Sequence, residues 1–421
     1  MTNPKALDSF LPFAPPLMGP DEIDEVADTL RSGWLTTGPK TERFEKELAA
    51  FLGSGRGVAV NSCTSALHLG LHVLGVGPGQ GVITTPLTFA STGHAIMYQG
   101  AQPFLVDIDP ETGNLDPQKV RCFLAEECRP DSNGRPQHTA SGLTITTLMP
   151  VHYGGHPVAL DEFWAIAAEY HLDILEDAAH AVGAAYRGLP VGHRGLKPPG
   201  ATQLRGLTAF SFYATKNLAT GEGGYLAASD DSLIERARVL SMYGISDSRR
   251  IWGRYAPKGT WVYDVAELGF KYNMMDIQAA LGLHQLKKLP EFIQARAAHA
   301  GRYNQALGGL EYLVTRPLAR PEVGHAWHLY PLRLKPENLR VGRDEFIEIL
   351  RDHNIGASVL FIPLHYHSFY KKILAVGENA FPEAEAFFHN LINLPVAPAH
   401  SPQQVERAAE VLAALLNKYR R

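Results

Sequence analysis

The sequence has few cysteines and no long apolar run. Its three cysteines, Cys63, Cys122 and Cys128, lack CxxC spacing, which argues against a disulfide framework or a zinc site. No stretch reaches the roughly 18 apolar residues of a transmembrane helix. The N-terminal segment carries prolines and charges where a secretory signal needs a continuous apolar core. We therefore expect a cytoplasmic protein with free thiols and no membrane partner.

The chain also lacks an excess of positive charge. Its formal net charge is -4 at pH 7, and its lysines and arginines are spread along the sequence. This pattern supplies no electrostatic footprint for nucleic acid, so we expect no nucleic-acid partner and favour small-molecule ligands. With 421 residues and a hydrophobic content of 45%, the chain is expected to fold throughout around a substantial core.

Short β-branched runs alternate with helical patterns between residues 55 and 230. Strands joined by helical crossovers predict an α/β fold with a mainly parallel sheet covered by helices on both faces. Beyond residue 300 the pattern becomes that of a smaller α+β domain. We predict a large ligand-binding domain with an N-terminal arm over 1–290, and a small C-terminal domain over 291–421. Ligands of such sheets collect at the carboxyl ends of the strands.

A single lysine stands out in the segment FSFYATKNLATGEGGYL, where Lys216 follows an apolar strand. A lysine at such a place is more often a surface charge. In a buried position among aromatic residues, however, an amine loses its proton near neutral pH and can condense with a carbonyl. Lys216 therefore fits a Schiff-base lysine.

The segment LDILEDAAHAVGA ends a buried strand with adjacent carboxylates, Glu176 and Asp177. A carboxylate at this place must be paired or hydrogen-bonded, and a helix cap or a structural ion pair would satisfy it. The other interpretation is that Asp177 pairs with the ring nitrogen of pyridoxal 5'-phosphate and keeps it protonated, so that the ring takes up electrons. Lys216 and Asp177 support the same interpretation, because this cofactor needs both a lysine and a carboxylate.

An anion site is predicted where the segment VAVNSCTSALHL passes from a strand directly into a helix. Thr64 and Ser65 lie at the start of that helix, where free N–H groups favour a phosphate, although plain helix capping also explains them. The hydroxyl of Ser211 could add a contact. Phe89 could stack on the cofactor ring or belong to the core.

Seven stretches then carry a resemblance to a known family: SGWLTTGP, HYGGHP, EDAAHAVG, FSFYATKN, GFKYN, DIQAALGL and HAWHLY. In this order and at these spacings, the chain resembles the DegT/StrS family of pyridoxal-phosphate-dependent sugar-nucleotide aminotransferases over essentially its whole length. Within the family, it looks most similar to the members that make UDP-4-amino-4-deoxy-L-arabinose. Those members act on a 4-keto sugar nucleotide.

The resemblance implies a fold type I pyridoxal-phosphate enzyme, a homodimer with shared active sites, L-glutamate as amino donor and a nucleotide-linked 4-keto sugar as acceptor. It implies that Lys216 is the Schiff-base lysine and Asp177 the partner of the ring nitrogen. The other implied contacts are the phosphate (Thr64, Ser65, Ser211), the ring face (Phe89), the phenolic oxygen (His180, where many members have Gln), the partner subunit's phosphate (Asn273) and the sugar (His328).

Several alternatives stay open at this point. The ketone could be at sugar C3, or the chain could be a sugar dehydratase, although that branch carries His in place of Lys216. A catalytically silent protein that binds the cofactor as a regulator is a further alternative. His365 and His367 lack an evident third ligand, so we predict no metal site. An arginine within DSRRIWGR could receive the donor carboxylate.

Overall fold

The structure, a computed structural model, describes residues 4–198, 203–228, 230–246, 263–374, 376–377 and 379–421. Its strands within these ranges are β1 (Arg56–Val60), β2 (Gln80–Thr84), β3 (Gln102–Leu105), β4 (Cys128–Pro130), β5 (Pro136–His138), β6 (Thr144–Leu148), β7 (Asp173–Asp177), β8 (Ala185–Tyr186), β9 (Leu189–Pro190), β10 (Gly206–Ser211), β11 (Gly224–Ala228), β12 (Val314–Thr315), β13 (Val323–Gly324), β14 (Tyr330–Leu334) and β15 (Leu391–Leu394).

The α-helices of the same ranges are α1 (Pro20–Ser32), α2 (Pro39–Leu52), α3 (Cys63–Val73), α4 (Ala90–Tyr98), α5 (Pro117–Glu127), α6 (Leu160–Tyr170), α7 (Asp231–Ser241), α8 (Asp276–Ala306), α9 (Arg343–Asp352), α10 (Ser368–Leu374), α11 (Pro382–Asn390) and α12 (Pro402–Tyr419). Within the described part of the chain, none of them combines the length and the hydropathy that a bilayer-spanning segment requires.

The central sheet has the strand order β1-β11-β10-β7-β6-β2-β3. Neighbours from β10 through β7, β6 and β2 to β3 run parallel, whereas β11 is antiparallel to both β1 and β10. Every residue of β7 and β10 is buried, as expected for strands with helices on both faces. The predicted α/β fold with a mainly parallel sheet covered by helices is confirmed.

The two faces of β10 show how this cover is built. Leu207 and Ala209 pack in a cluster with α3 and α7, whereas Phe210 packs on the opposite side with residues of α2 and α8. Alternation along the strand produces this division, because successive side chains point to opposite faces of a sheet. The site residues that follow β7 and β10 are therefore fixed to a rigid, fully buried layer.

A smaller antiparallel sheet, β12-β14-β15, packs with α9 and α12 around a separate cluster. The N-terminal arm joins this part, since the N–H groups of Leu7 and Leu11 donate to the carbonyl oxygens of His353 and Asn354. The long helix α8 contacts α1 and α2 as well as α12. The boundary predicted between residues 290 and 291 falls inside α8, at Pro290, and stays a prediction.

Candidate active site

A cavity of about 510 Å³ opens at the carboxyl ends of β7 and β10. This volume lies within the roughly 300–1,000 Å³ typical of small-molecule sites. Of the residues selected from the sequence, the following line it: Thr64, Phe89, Asp177, His180, Ser211, Lys216 and His328. Ser65 and Asn273 are not among its lining residues.

Lys216 and Asp177 reach the same cavity because their strands are neighbours. Strands β7 and β10 pair in parallel with Asp177 opposite Ala209, and the turn that carries Lys216 follows β10. Burial lowers the pKa of the Lys216 amine to about 8, although the Cys63 thiol and the Asp177 carboxylate act in the opposite direction. The amine therefore loses its proton at a lower pH than an ordinary lysine does.

The Asp177 carboxylate is buried and receives hydrogen bonds from neutral donors. The Thr92 hydroxyl donates to Oδ2 at 2.8 Å, and the Ala179 N–H donates to Oδ1 at 3.1 Å. Burial raises the pKa of this carboxyl group, and these hydrogen bonds oppose the rise. The arrangement leaves a buried acid at the cavity wall with room to accept a further donor from a ligand.

Glu176 occupies a different environment on the other face of β7. His152 donates from Nε2 to its Oε2 at 2.9 Å, since His152 Nδ1 already accepts from the N–H of Val158. The hydroxyl of Thr208 donates to the other carboxylate oxygen at 3.0 Å. Glu176 does not line the cavity. Its hydrogen bonds instead join β7 to the loop after β6 and to β10.

The start of α3 borders the cavity through Cys63 and Thr64. The helix is capped by Ser62, whose hydroxyl oxygen accepts from the N–H of Ser65 at 3.1 Å, and the Ser65 hydroxyl donates to Asn61 at 2.6 Å. The polar groups of Ser65 are thus used within the cap. A phosphate role for Ser65 stays a prediction.

Gly224 is required where β11 passes the start of α3. A Cβ at this position would lie 2.6 Å from the backbone nitrogen of Cys63 and 2.5 Å from the carbonyl carbon of Ser62. Only glycine allows this approach, because both contacts are with main-chain atoms that cannot rotate away. The close packing holds the first turn of α3 against the sheet.

His180 and His328 contact each other in the lining of the cavity, with ring centroids 4.2 Å apart. His180 Nδ1 accepts from the N–H of Gly154, so its proton is on Nε2. Asn217 donates through its amide to the carbonyl of Ala326, so its oxygen accepts from His328 Nδ1 at 3.3 Å. His328 therefore has an unprotonated Nε2.

Both imidazoles are held neutral. Burial is the main reason that the pKa of each ring is well below its ordinary value, and the nearby Lys216 charge adds to the effect. The cavity thus contains one imidazole that can donate at Nε2 and one that can accept there.

An aromatic wall closes another side of the cavity. Phe89 is 61% exposed, so its interpretation as a core residue is wrong. Its ring centroid is 5.8 Å from that of Phe361, which in turn stacks on His180 at 5.3 Å with an interplanar angle of 20°. Phe361 comes from the C-terminal part of the chain, and no pattern near Lys216 or Asp177 indicated it.

Asn273 lies outside the cavity of its own chain. Its amide donates to the Thr37 hydroxyl at 2.6 Å, and Lys271 donates to its oxygen at 2.6 Å. Residues 272 and 273 also run beside the end of β1, where Asn61 donates from its N–H to Tyr272. A contact with a partner subunit stays a prediction.

His365 and the arginines of DSRRIWGR were also named as candidates from the sequence. His365 bonds Glu385 at 3.1 Å in a buried pair, which is a structural role. The arginines of DSRRIWGR lie outside the described residues. Thr92, in the first turn of α4, was missed; its hydroxyl lies 2.7 Å from that of Thr88, which comes two residues before the helix.

A sequence model of the DegT/DnrJ/EryC1/StrS aminotransferase family matches residues 16–413 of the chain. The chain belongs to this family. The family is the one that its motifs predicted, whereas similarity to the UDP-4-amino-4-deoxy-L-arabinose branch stays a prediction.

Individual relatives agree with this family assignment. The spore coat polysaccharide biosynthesis protein SpsC of Bacillus subtilis is 44% identical over 404 residues, which is 96% of each chain. Spr1654 of Streptococcus pneumoniae, solved in its PMP form, has a TM-score of 0.83 at 30% identity and covers 97% of this chain and 99% of its own. The sugar aminotransferase CalS13 of Micromonospora echinospora has a TM-score of 0.79 at 28% identity, covering 96% and 99%.

The chain is thus a sugar aminotransferase that uses pyridoxal phosphate, and Spr1654 has been solved in both its PLP and PMP forms. The cavity fits this cofactor. A buried carboxylate with neutral donors, Asp177, suits a protonated ring nitrogen, and Lys216 has an amine of lowered pKa. The first turn of α3, held by Gly224, supplies N–H groups suited to a phosphate.

Proposed function

We propose that this aminotransferase moves the amino group of L-glutamate onto C4 of a nucleotide-linked 4-keto sugar. The observation that supports the chemistry most directly is the shared cavity of Lys216 and Asp177 at the ends of two neighbouring parallel strands. The nucleotide and the C4 position rest on the motifs shared with the UDP-4-amino-4-deoxy-L-arabinose branch. A cytoplasmic location stays a prediction.

Lys216 performs the proton transfers in this proposal. When bound, pyridoxal phosphate supplies an aldehyde carbon that carries the amino group between substrates and a protonated ring that accepts electrons. Lys216 holds the cofactor between turnovers, and its free amine removes the Cα proton of glutamate. In the second half of the cycle it delivers a proton to C4 of the sugar. A pKa of about 8 suits an amine that must both take and release protons near neutral pH.

The other residues bind and orient. Asp177 accepts from the protonated ring nitrogen, and the first turn of α3 with Thr64 and Ser211 holds the phosphate. Phe89 would lie against the cofactor ring. These contacts retain the cofactor during the part of the cycle in which Lys216 is free.

The two imidazoles receive different roles because they carry their protons on different nitrogens. His180 donates from Nε2 to the phenolic oxygen of the cofactor, where Gln is frequent in the family, so either side chain serves as a donor. His328 accepts at Nε2 from a hydroxyl of the sugar. Neutral rings suit both roles, since a charged imidazolium could not accept.

To test the substrate assignment, purified protein is incubated with L-glutamate and one keto sugar nucleotide at a time. UDP- and dTDP-linked sugars with the ketone at C3 or at C4 form the panel. We expect 2-oxoglutarate and a 4-amino sugar, identified by NMR, from a 4-keto substrate. A 3-amino product, or loss of water from the sugar without amine transfer, would contradict the proposal.

We further propose that the enzyme is a homodimer in which Asn273 donates to the phosphate bound by the partner subunit. Asn273 lies outside the cavity of its own chain, and its amide nitrogen has a second N–H besides the one that it donates to Thr37. Mixing Asn273→Ala with Lys216→Ala protein should yield heterodimers in which one site carries both changes and the other neither. Activity should return toward half of the wild-type value per heterodimer. Heterodimers without recovered activity would exclude shared sites.

A further inference from the structure

Thr88, two residues before α4, and Thr92, in its first turn, form a short chain of hydroxyl groups that ends on the active-site carboxylate. Thr88 and Thr92 have their Oγ1 atoms 2.7 Å apart, and Thr92 Oγ1 lies 2.8 Å from Asp177 Oδ2. Both threonines are buried: Thr92 is 0% exposed and Thr88 is 2% exposed. Water therefore does not compete for these hydrogen bonds.

The direction of each hydrogen bond follows from counting protons. An ionised carboxylate can only accept, so the single hydroxyl proton of Thr92 goes to Asp177. The oxygen of Thr92 then accepts, and Thr88 must donate to it. The chain runs from Thr88 through Thr92 to Asp177, and each donor stabilises the negative charge at its end.

This chain works against the effect of burial. Desolvation favours the neutral form of Asp177, and a neutral carboxyl group would lose its charge-assisted hydrogen bond to a protonated ring nitrogen. The Thr92 hydroxyl and the Ala179 N–H favour the ionised form instead. They also occupy one acceptor direction on each oxygen, which orients the carboxylate relative to the cavity.

We infer that Thr92, supported by Thr88, is a positioning residue that keeps Asp177 ionised and oriented toward the ring nitrogen of the cofactor. This inference rests on the proposed contact between Asp177 and that nitrogen. The competing explanation is that the hydroxyl chain merely fastens α4 to β7. The two explanations differ in whether the effect of Thr92 depends on the ring nitrogen.

The test uses full-length protein freed of cofactor and titrated with two ligands. One is pyridoxal phosphate, and the other is its deaza analogue, in which carbon replaces the ring nitrogen. Thr92→Val should weaken binding of pyridoxal phosphate about 10-fold, the typical effect of one hydrogen bond to a charged group. Binding of the deaza analogue should not change. Thr92→Ser, which keeps the hydroxyl, should restore wild-type affinity, and Thr88→Val should show a smaller loss of the same selectivity.

Thr208→Val is the matched control. Thr208 is a buried threonine whose hydroxyl also donates to a carboxylate of β7, but that carboxylate is Glu176. Thr208→Val should leave the affinities for pyridoxal phosphate and for its deaza analogue unchanged. If Thr92→Val does not fold, the selective loss must still appear in Thr88→Val.

Three results would overturn the inference: equal weakening of both ligands, no weakening of either, or failure of Thr92→Ser to restore affinity. A failure of the underlying proposal looks different. If the wild-type protein bound the deaza analogue as tightly as pyridoxal phosphate, Asp177 would not contact the ring nitrogen at all.

Discussion

Glu176 and Asp177 are adjacent on β7, yet they belong to two different regions of the molecule. The Glu176 side faces the packed interior, where His152 and Thr208 satisfy both carboxylate oxygens. The Asp177 side faces the cavity, where the hydroxyl of Thr92 and the N–H of Ala179 donate. One acid is fully used by the fold, whereas the other keeps the capacity to bind a ligand. Burial alone does not distinguish them, but the completeness of their hydrogen bonding does.

The largest expected difference between the two acids is in turnover. Asp177→Asn should slow the half-reaction with L-glutamate by about 10²- to 10³-fold, as is typical when a group that stabilises developing charge is removed. Glu176→Gln should remain within about 3-fold, because it lies outside the cavity and keeps its shape. Stopped-flow absorbance of the cofactor measures both rates. Equal losses of rate in the two variants would contradict the assignment of different roles to Asp177 and Glu176.

A smaller effect is expected on the free energy of unfolding. Here a change beside Glu176 should cost more than a change of Asp177. His152→Leu should lower the free energy of unfolding by about 2–3 kcal/mol, because it leaves a carboxylate oxygen of Glu176 buried without its donor. Chemical denaturation of the cofactor-free protein provides the measurement. Asp177→Asn is the comparison variant and should unfold close to wild type. A wild-type stability for His152→Leu would mean that the Glu176 network does not hold β7 in place.

The smallest effect is a shift in the pH dependence of Lys216. The rate at which the cofactor-free protein attaches pyridoxal phosphate should rise with pH and level off above about pH 8, since only the neutral amine reacts. The negative charge of Asp177 raises the pKa of this amine, so Asp177→Asn should move the midpoint to lower pH. Glu176→Gln should leave it unchanged. A midpoint near that of an ordinary lysine, or a shift in the Glu176 variant, would contradict the electrostatic pairing within the cavity.

Much of the fold could be predicted from the sequence because its determinants are local. Alternating β-branched runs and amphipathic helices fix a mainly parallel sheet, and this prediction is confirmed. Residues 126–142 form a polar stretch with prolines and glycines, a composition typical of turns. Part of this segment forms the hairpin of β4 and β5, which pairs with β6. The pairing of β5 with β6 joins Gln137 to Thr144 and is local in sequence, but the polar composition of the segment did not indicate it.

The cofactor site was predictable to the extent that it follows strand ends. Lys216, Asp177, Thr64 and Ser211 come directly after or near buried strands, and the parallel sheet brings those ends to one edge. Ser65 has the same local sequence context as Thr64, but its hydroxyl and N–H are used within the helix cap. The difference between these neighbours is one of side-chain direction, which residue type and spacing do not specify.

The sequence by itself determined the fold class, the family and the pairing of a lysine with a carboxylate, because each depends on local patterns or on motifs that recur in order. Only the tertiary structure decided which of two adjacent acids faces the cavity, which nitrogen of His180 and His328 carries the proton, and that Phe361 and Thr92 reach the site. These features arise from contacts between residues far apart in the chain. Their geometry depends on how the sheet, α4 and the C-terminal segment pack together, and no single stretch of sequence contains that information.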